Sequence, residues 1–223
     1  MSHGLRRRSD GSPLVISSSP DSHRGGCCCG IVPTATPGPT GVVTSDQDTP
    51  FHQRTVPGAP SGSGYQPGGD GWFEYDLMPK AETVTMAGQY FVTQDDPPSG
   101  GVYLAECTSG PVADGFGWTG PDSLRATALE IAASERANYY PAPNEQRVLR
   151  DEPRTVDGHD AHLYEFQLSW DVEGYDATGE RVAVLLVDTG RPAPALLFLS
   201  IPNTHAELYG VIDQVVEDVD VLD

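Results

Sequence analysis

Lysine is almost missing from this chain. Lys80 is the only lysine among 223 residues, and Lys and Arg together number 13 against 32 Asp and Glu. The formal net charge is −19 and the sequence pI is about 4.4. Because phosphate backbones are bound by clustered Lys and Arg, this composition excludes nucleic acid as a partner. The preference for arginine is typical of a GC-rich genome, and the acid excess also fits a salt-adapted host.

Long apolar runs are missing as well. No stretch of about 18 apolar residues occurs, so no transmembrane helix is predicted. Arg6, Arg7 and Arg8 resemble the basic start of an export signal, but the apolar run 14–16 is too short to complete one. Two interpretations of the compartment therefore stay open: the cell envelope, with membrane tethering through the N-terminal part, and the cytoplasm.

Cysteine is scarce and unevenly placed. Cys27, Cys28 and Cys29 are consecutive, and Cys107 stands alone. Without a CxxC pair, neither a zinc site nor a disulfide framework is predicted. We expect Cys107 to be a small buried apolar residue. Acylation of the consecutive cysteines is one hypothesis for them, and an unmodified, oxidisable cluster is the other.

Motifs for catalysis and for cofactors are missing too. The sequence has no GxSxG nucleophile elbow, no Walker motif and no GxGxxG. His159 and His162 lie close in sequence, but strand geometry would place one in a turn and the other on an apolar face. We therefore predict no catalytic residue, no metal and no cofactor, and a protein that is not an enzyme.

The composition divides the chain into a tail and a domain. Residues 1–71 are rich in Pro, Gly, Ser and Thr and are predicted to be a disordered tail and linker. Residues 72–223 are enough for one domain with a sizeable core. Within that domain, alternating residues and turn signals predict a hairpin over 83–107, and caps and periodicity predict a helix over 122–138. A short strand is expected at 146–149.

The clearest periodicity lies in residues 155–222, which read as three strands and a helix. Residues 162–170 alternate strictly, which predicts a strand with one buried face. Residues 182–187 and 195–201 are apolar on both faces, which predicts central antiparallel strands covered on both sides. A capping box over 204–207 and an apolar stripe predict the last helix. The fold class is therefore α+β, an antiparallel sheet sandwiched between helices.

The segment from Thr155 to Ala161, with its Val-Asp-Gly turn, and the strands and helix after it resemble the PsbP-like fold. The pattern is similar in particular to actinobacterial envelope proteins and lipoproteins of the mycobacterial Lpq type. The resemblance implies an α/β/α sandwich without enzyme activity that serves as a binding or accessory module at the cell envelope. It implies no functional residues. The first strands lack the proline-glycine-tryptophan entry of the family.

Aromatic residues supply the candidates for ligand binding. The Gly-rich stretch 109–121 leads into a helix N-terminus, where backbone donors and an aromatic surface come together. An alternative is that Trp118 only covers the core. The candidate ligand-binding residues are Phe116, Trp118, Tyr139, Tyr140 and Trp170.

Three hypotheses for the function follow from these observations. The first is a non-enzymatic binding or accessory domain associated with the cell envelope, whose partner is an unidentified protein or an apolar, lipid-like ligand. The second is a cytosolic acidic interaction module of inhibitor or immunity type, with salt-sensitive association. The third is a hydrolase, which requires a pocket that holds an acid or a histidine with a perturbed pKa.

Overall fold

A computed structural model describes residues 51–52, 72–74 and 79–221. Most of the predicted tail and linker, including Cys27, Cys28 and Cys29, lies outside the described residues. Residues 51 and 52, which the composition assigned to the tail, form a two-residue strand that pairs with the end of the chain.

The described residues form nine strands, two α-helices and two short 3-10 helices. The strands are β1 (Phe51–His52), β2 (Phe73–Glu74), β3 (Ala87–Asp95), β4 (Val102–Pro111), β5 (Asn144–Val156), β6 (His159–Trp170), β7 (Gly179–Val187), β8 (Ala195–Pro202) and β9 (Asp220–Val221). The helices are α1 (Leu124–Asn138) and α2 (Tyr209–Asp218), preceded by 3-10 turns at Pro121–Ser123 and Asn203–Leu208.

Seven strands form one antiparallel sheet in the order β2-β3-β4-β8-β7-β6-β5, and β1 pairs separately with β9. The predicted hairpin is confirmed as β3 and β4, and β7 and β8 pair antiparallel as predicted. The N-terminal hairpin and the C-terminal meander meet where β4 pairs with β8. The predicted α+β fold class is therefore confirmed.

Each face of the sheet packs against one helix. Apolar side chains of the central strands alternate between the two faces: Val182, Val184 and Leu186 of β7 pack towards α1, and Ala183 and Leu185 pack towards α2. These side chains are fully buried. Since both faces of β7 and β8 are covered, the prediction of two central, doubly covered strands is confirmed.

Helix α1 buries one side against β6 and β7. The buried positions Leu124, Ala128, Ile131 and Ala132 follow the helical period, and the alanines allow the helix to approach the sheet closely. Glu135 continues the same stripe and is also buried. A carboxyl group therefore lies in the helix–sheet interface, at the C-terminal end of α1.

Two strand predictions need correction. In β6 both faces are buried, not one, because Leu163 and Glu165 are covered on the α2 side. The predicted short strand at 146–149 is part of the 13-residue β5, which pairs with β6 along its length. Strand β5 lies at the sheet edge, where charged side chains and Pro153 replace the apolar alternation that reveals inner strands.

The predicted Gly-rich loop begins later than expected, because β4 continues to Pro111. Gly110 lies within the strand, where a Cβ atom would stand 2.0 Å from the Thr85 carbonyl oxygen. A glycine at this position therefore permits close backbone approach.

The predicted capping box is wrong. Residues 203–208 form a 3-10 turn, and the Thr204 hydroxyl contacts the His205 ring instead of capping a helix. Helix α2 begins at Tyr209 and ends at Asp218. Its predicted apolar stripe is confirmed, since Val211, Ile212, Val215 and Val216 are buried.

Candidate functional site

A pocket of about 330 Å³ lies beside β4 and β8, next to the residues that follow α1. Helix α1 packs mainly on β6 and β7. The pocket lies near the C-terminal end of this helix, beside polar side chains of β4 and β8. The polar groups that line the pocket are Lys80, Tyr103, Glu106, Tyr140, Glu180 and Ser200. Tyr139 lies at its rim and is 39% exposed. We call this cavity the Lys80 pocket.

Lys80 is held from four sides. Its Nζ donates hydrogen bonds to Glu106 Oε1 and, at 3.0 Å, to Glu135 Oε2. The same atom lies 4.3 Å from the centre of the Phe198 ring and 4.7 Å from that of Tyr139. An ammonium between carboxylates and aromatic faces is stabilised by charge and by the ring quadrupoles. This arrangement is a cage for a primary ammonium group, filled by a residue of the chain itself.

The pKa of Lys80 is raised above its ordinary value. Burial opposes the charge, but the carboxylates of Glu106 and Glu135 outweigh burial and hold the proton on the amine. A lysine acts as a nucleophile only when its pKa is lowered. Lys80 is therefore a fixed cation at neutral pH, and Schiff-base chemistry is not supported.

Glu180 is the end point of a short hydrogen-bonded chain. The Tyr103 hydroxyl donates to Glu180 Oε2 at 2.6 Å, and the Ser200 hydroxyl donates to Glu180 Oε1. The Tyr140 hydroxyl lies 2.6 Å from Ser200 Oγ and donates to it, since the Ser200 hydrogen is directed to Glu180. All three donors come from different elements, so this chain fixes the geometry of the pocket floor.

Two carboxyl groups of the site have raised pKa values. Burial raises the pKa of Glu180 to about 8, although hydrogen bonds from Ser200 and Tyr103 act in the opposite direction. Burial also raises the pKa of Glu135 to about 8; Lys80 counteracts this shift, and neighbouring carboxylates add to it. Glu180 therefore carries a proton over much of the neutral range, whereas the hydrogen bond from Lys80 Nζ favours the carboxylate form of Glu135.

The negative charge of the site is not balanced. Glu106 and Glu135 share the single ammonium of Lys80, and the buried carboxyl group of Glu82 lies near that of Glu135. Within the part of the chain that the structure describes, Glu82 Oε2 and Glu106 Oε2 are buried without a hydrogen-bond partner. Buried polar atoms usually have one, so Glu106 Oε2, on a residue that lines the pocket, is an acceptor open to a further donor.

The structure brings together three of the five predicted ligand-binding residues. Tyr139 and Tyr140 line the Lys80 pocket. Trp170 is buried behind them, with its ring centre 6.4 Å from that of Tyr140 and its Nε1 hydrogen-bonded to the Ala177 carbonyl. Phe116 and Trp118 pack on the same core but do not line this pocket.

Trp118 is tied to the loop between β7 and β8. Its Nε1 donates a hydrogen bond to the Pro192 carbonyl at 3.0 Å. This contact fits the alternative that Trp118 covers the core. Its role in ligand binding, and that of Phe116, stays a prediction.

Sequence reasoning missed the charged residues of the site. Lys80, Glu106, Glu135 and Glu180 come from a connecting segment, two strands and a helix, so no local motif joins them. Signals did exist: Lys80 is the only lysine, and Glu106 interrupts an apolar strand.

A second charged cluster lies on the α2 face. Glu165 accepts hydrogen bonds from Arg150 and Arg181, and both arginines also bond Asp213 Oδ1 at 2.9 Å. Two basic and two acidic groups thus pair completely. This cluster fastens α2 to the sheet.

The two histidines considered in the sequence have separate partners. His159 Nδ1 lies 3.0 Å from the Asp188 carbonyl, and His162 Nε2 lies 2.8 Å from Asp151 Oδ1. Among residues 51–52, 72–74 and 79–221, no group of three or more His, Cys, Asp or Glu is arranged to hold a metal ion. No helix in the same ranges is both long and apolar enough to cross a membrane.

Comparisons with known proteins give similarities of shape only. No protein-family model matches the sequence, and no curated protein matches it. A crystal structure of PA94 from Pseudomonas aeruginosa, described as a protein of unknown function and a suggested regulator, is similar at 15% identity and a TM-score of 0.37, over 66% of this chain and 94% of that one. The solution structure of the cyanobacterial PsbP protein CyanoP from Synechocystis is similar at 12% identity and a TM-score of 0.37, over 74% of this chain and 100% of that one.

Proposed function

We propose that this protein is a non-enzymatic binding or accessory domain that takes a small amphipathic ligand into the Lys80 pocket. The observation that carries the proposal is the combination of an open cavity of about 330 Å³ with buried, incompletely paired carboxylates. Pockets of this size, with a few convergent polar groups, are the usual place for small ligands.

The chemistry of the pocket supports binding over catalysis. It does hold acids with raised pKa values, which the hydrolase hypothesis requires. However, Glu180 accepts hydrogen bonds from Tyr103 and Ser200, and at neutral pH it is largely protonated. Ser200 is buried, and its hydroxyl is bonded to both Glu180 and Tyr140, so it is held within the pocket floor and is not presented as a nucleophile.

The lining also indicates what kind of ligand fits. Tyr139 and Tyr140 offer ring surface at the entrance, and Glu106 Oε2 offers an acceptor at the floor. A purely apolar lipid would leave this acceptor unpaired, which is unfavourable. We therefore propose a ligand with an apolar body and a polar end.

Tryptophan fluorescence tests the proposal with a screen of small amphipathic compounds. A ligand in the Lys80 pocket should change the emission of Trp170 through its neighbour Tyr140. We expect Tyr139→Ala, at the exposed rim, to weaken binding by about tenfold, the effect of one lost aromatic contact. Trp118→Phe should bind as the wild type does, and so should Tyr164→Phe, which lines a separate cavity near α1.

Opposite results would assign the site elsewhere. If Trp118→Phe abolishes binding while Tyr139→Ala preserves it, the ligand binds at the loop of Phe116 and Trp118. If no compound of the screen binds the wild type, the proposal of a small-ligand domain fails.

We also propose that the domain acts at the cell envelope, tethered by its N-terminal part. The support is the consecutive cysteines Cys27, Cys28 and Cys29 and the resemblance of the sequence pattern to PsbP-like envelope proteins. Cell fractionation, with mass spectrometry of the cysteine-containing peptide, tests this location. An unmodified protein found only in the cytosol would favour the alternative, an acidic interaction module with salt-sensitive binding.

A further inference from the structure

We propose that the Lys80 pocket is selective for an organic cation with a primary ammonium group, and that this group takes the place of Lys80 between Glu106 and Glu135. This inference rests on the proposed function and names its ligand class. It also gives Lys80 a role, as an internal occupant that a ligand must displace.

The cage has the chemistry that recognises a primary ammonium. Two carboxylates accept hydrogen bonds from Nζ, and two ring faces lie within 4.7 Å of it. An ammonium is a compact point charge, whereas a guanidinium is a planar fork. The single lysine of the chain occupies this cage, which therefore has room for the compact cation.

The charge of the site favours a cationic ligand over a neutral one. Glu106 and Glu135 share one ammonium, and Glu106 Oε2 is buried without a partner among the described residues. Glu106 itself lines the pocket. A neutral ligand that displaced Lys80 would leave these buried carboxyl groups without a cation, whereas a ligand ammonium replaces the hydrogen bonds of Nζ and can also bond Glu106 Oε2.

The backbone near Lys80 allows the side chain to leave. Lys80 precedes β3 and lies outside the sheet, and the Ala81 N–H donates a long hydrogen bond of 3.3 Å to the Tyr139 hydroxyl. The Lys80 carbonyl accepts a long hydrogen bond from the Thr83 N–H at 3.3 Å, and firmer attachment begins at Glu82, whose carbonyl accepts the Ala113 N–H at 2.9 Å. Lys80 therefore lies just before an anchored point, and its release requires no strand to open.

Isotope labelling gives a direct test on the wild-type protein. Because Lys80 is the only lysine, [13C]lysine labelling yields one ε-methylene NMR signal. Titration with n-butylammonium should move this signal to the position of a solvent-exposed lysine, and n-butanol, its neutral analogue, should not. If n-butylammonium binds the pocket and the lysine signal stays in place, displacement is wrong.

A variant series measures the competition. An occupant attached to the same chain competes at high effective concentration, so Lys80→Met should bind n-butylammonium about tenfold tighter or more than the wild type. The double variant with Lys80→Met and Glu106→Gln should lose this gain. Affinity for n-butanol should be the same in all three proteins. Equal n-butylammonium affinity in wild type and Lys80→Met overturns the proposal.

The two proposals fail in different ways. If neutral amphipathic compounds bind through Tyr139 but n-butylammonium binds no tighter than n-butanol, the proposal of ammonium selectivity is wrong. The proposal of a ligand-binding domain is then unaffected. If no compound of either kind binds, both are wrong. Should Lys80→Met fail to fold, the lysine signal of the wild-type protein decides alone.

Discussion

The two faces of the sheet each bury a charged cluster, and the clusters differ in balance. On the α2 face, Arg150 and Arg181 meet Glu165 and Asp213, and every charge has an opposite partner at hydrogen-bond distance. The cluster is closed, with Glu165 fully buried beneath the two arginines. Such a network connects helix and sheet and leaves no group for a ligand.

On the α1 face the acids outnumber the bases. Lys80 is shared by Glu106 and Glu135, while Glu82 and Glu180 rely on hydroxyl donors. A cavity opens beside this cluster. The difference shows that a fully paired charge cluster can serve to connect elements, whereas an unbalanced cluster beside a cavity is the better candidate for ligand binding.

The largest effect is expected where the balanced cluster is broken. Glu165→Ala leaves two arginines without their buried acceptor and should lower the free energy of unfolding by about 3–5 kcal/mol. Denaturation with guanidinium chloride measures this value. The control is Asp213→Ala, whose side chain is 46% exposed, and its loss should be below about 1 kcal/mol. Similar losses in both variants would show that the cluster is not anchored at Glu165.

A pH-dependent effect is expected in the unbalanced cluster. Glu180 keeps its proton up to about pH 8 in the folded protein but ionises near its ordinary pKa when unfolded. The unfolded state therefore releases this proton first, so the free energy of unfolding falls as pH rises from about 5 to 8. Glu180→Gln removes the contribution of Glu180 to this dependence, so its free energy of unfolding should fall by about 3–4 kcal/mol less than that of wild type between about pH 5 and pH 8.

Thermal or denaturant unfolding at a series of pH values checks the Glu180 prediction. Glu145→Gln, an exposed change of the same type on β5, serves as the control and should keep the wild-type slope. If the free energy of unfolding of Glu180→Gln falls with pH as steeply as that of wild type, other groups cause the pH dependence.

A smaller effect is expected from a neutral donor of the unbalanced cluster. The Ser134 hydroxyl donates to Glu82 Oε1, while Glu82 Oε2 has no partner among the described residues. Ser134→Ala should therefore cost about 1–2 kcal/mol, the penalty for one more unsatisfied buried acceptor. Ser134→Thr keeps the hydroxyl and is the matched control. If Ser134→Ala leaves the free energy of unfolding unchanged, water already donates a hydrogen bond to the Glu82 carboxyl group.

The smallest effect is expected for a pair that belongs to neither cluster. Arg125 bonds Asp151 through two nitrogens, but its side chain is 59% exposed. Solvent screens such pairs, so Arg125→Ala should leave the free energy of unfolding nearly unchanged. Chemical denaturation in low and high salt measures it. A loss as large as that of Glu165→Ala would contradict the distinction between buried and exposed pairs.

Burial on both faces made the inner strands predictable. Strands β7 and β8 are apolar at successive positions, and the apolar stripe of α2 repeats with the helical period. The apolar pattern in the sequence therefore matches the pattern of buried positions in the structure. Edge strand β5 has no such signal, because its outward side chains are charged. The capping box failed for a local reason: its four residues adopt a 3-10 turn after Pro202.

The candidate site was predictable only in its aromatic part. Tyr139 and Tyr140 follow a helix end that periodicity locates, so their place near a rim could be inferred. The partnership of Lys80 with Glu106 and Glu135 depends on side chains 26 and 55 positions away along the chain. Such contacts depend on the order of the strands in the sheet, and local patterns in a single sequence do not predict that order.

Strand order also fixes when the site can exist during folding. Strands β5 to β8 join neighbours along the chain, whereas the pairing of β4 with β8 closes a loop of roughly ninety residues, a slow step for entropic reasons. Glu106 lies on β4 and Glu180 and Ser200 on the meander, so the Lys80 pocket cannot assemble before this closure. Occupancy of the pocket would therefore report the last long-range step of folding, and a ligand would lower the rate of the reverse step, unfolding.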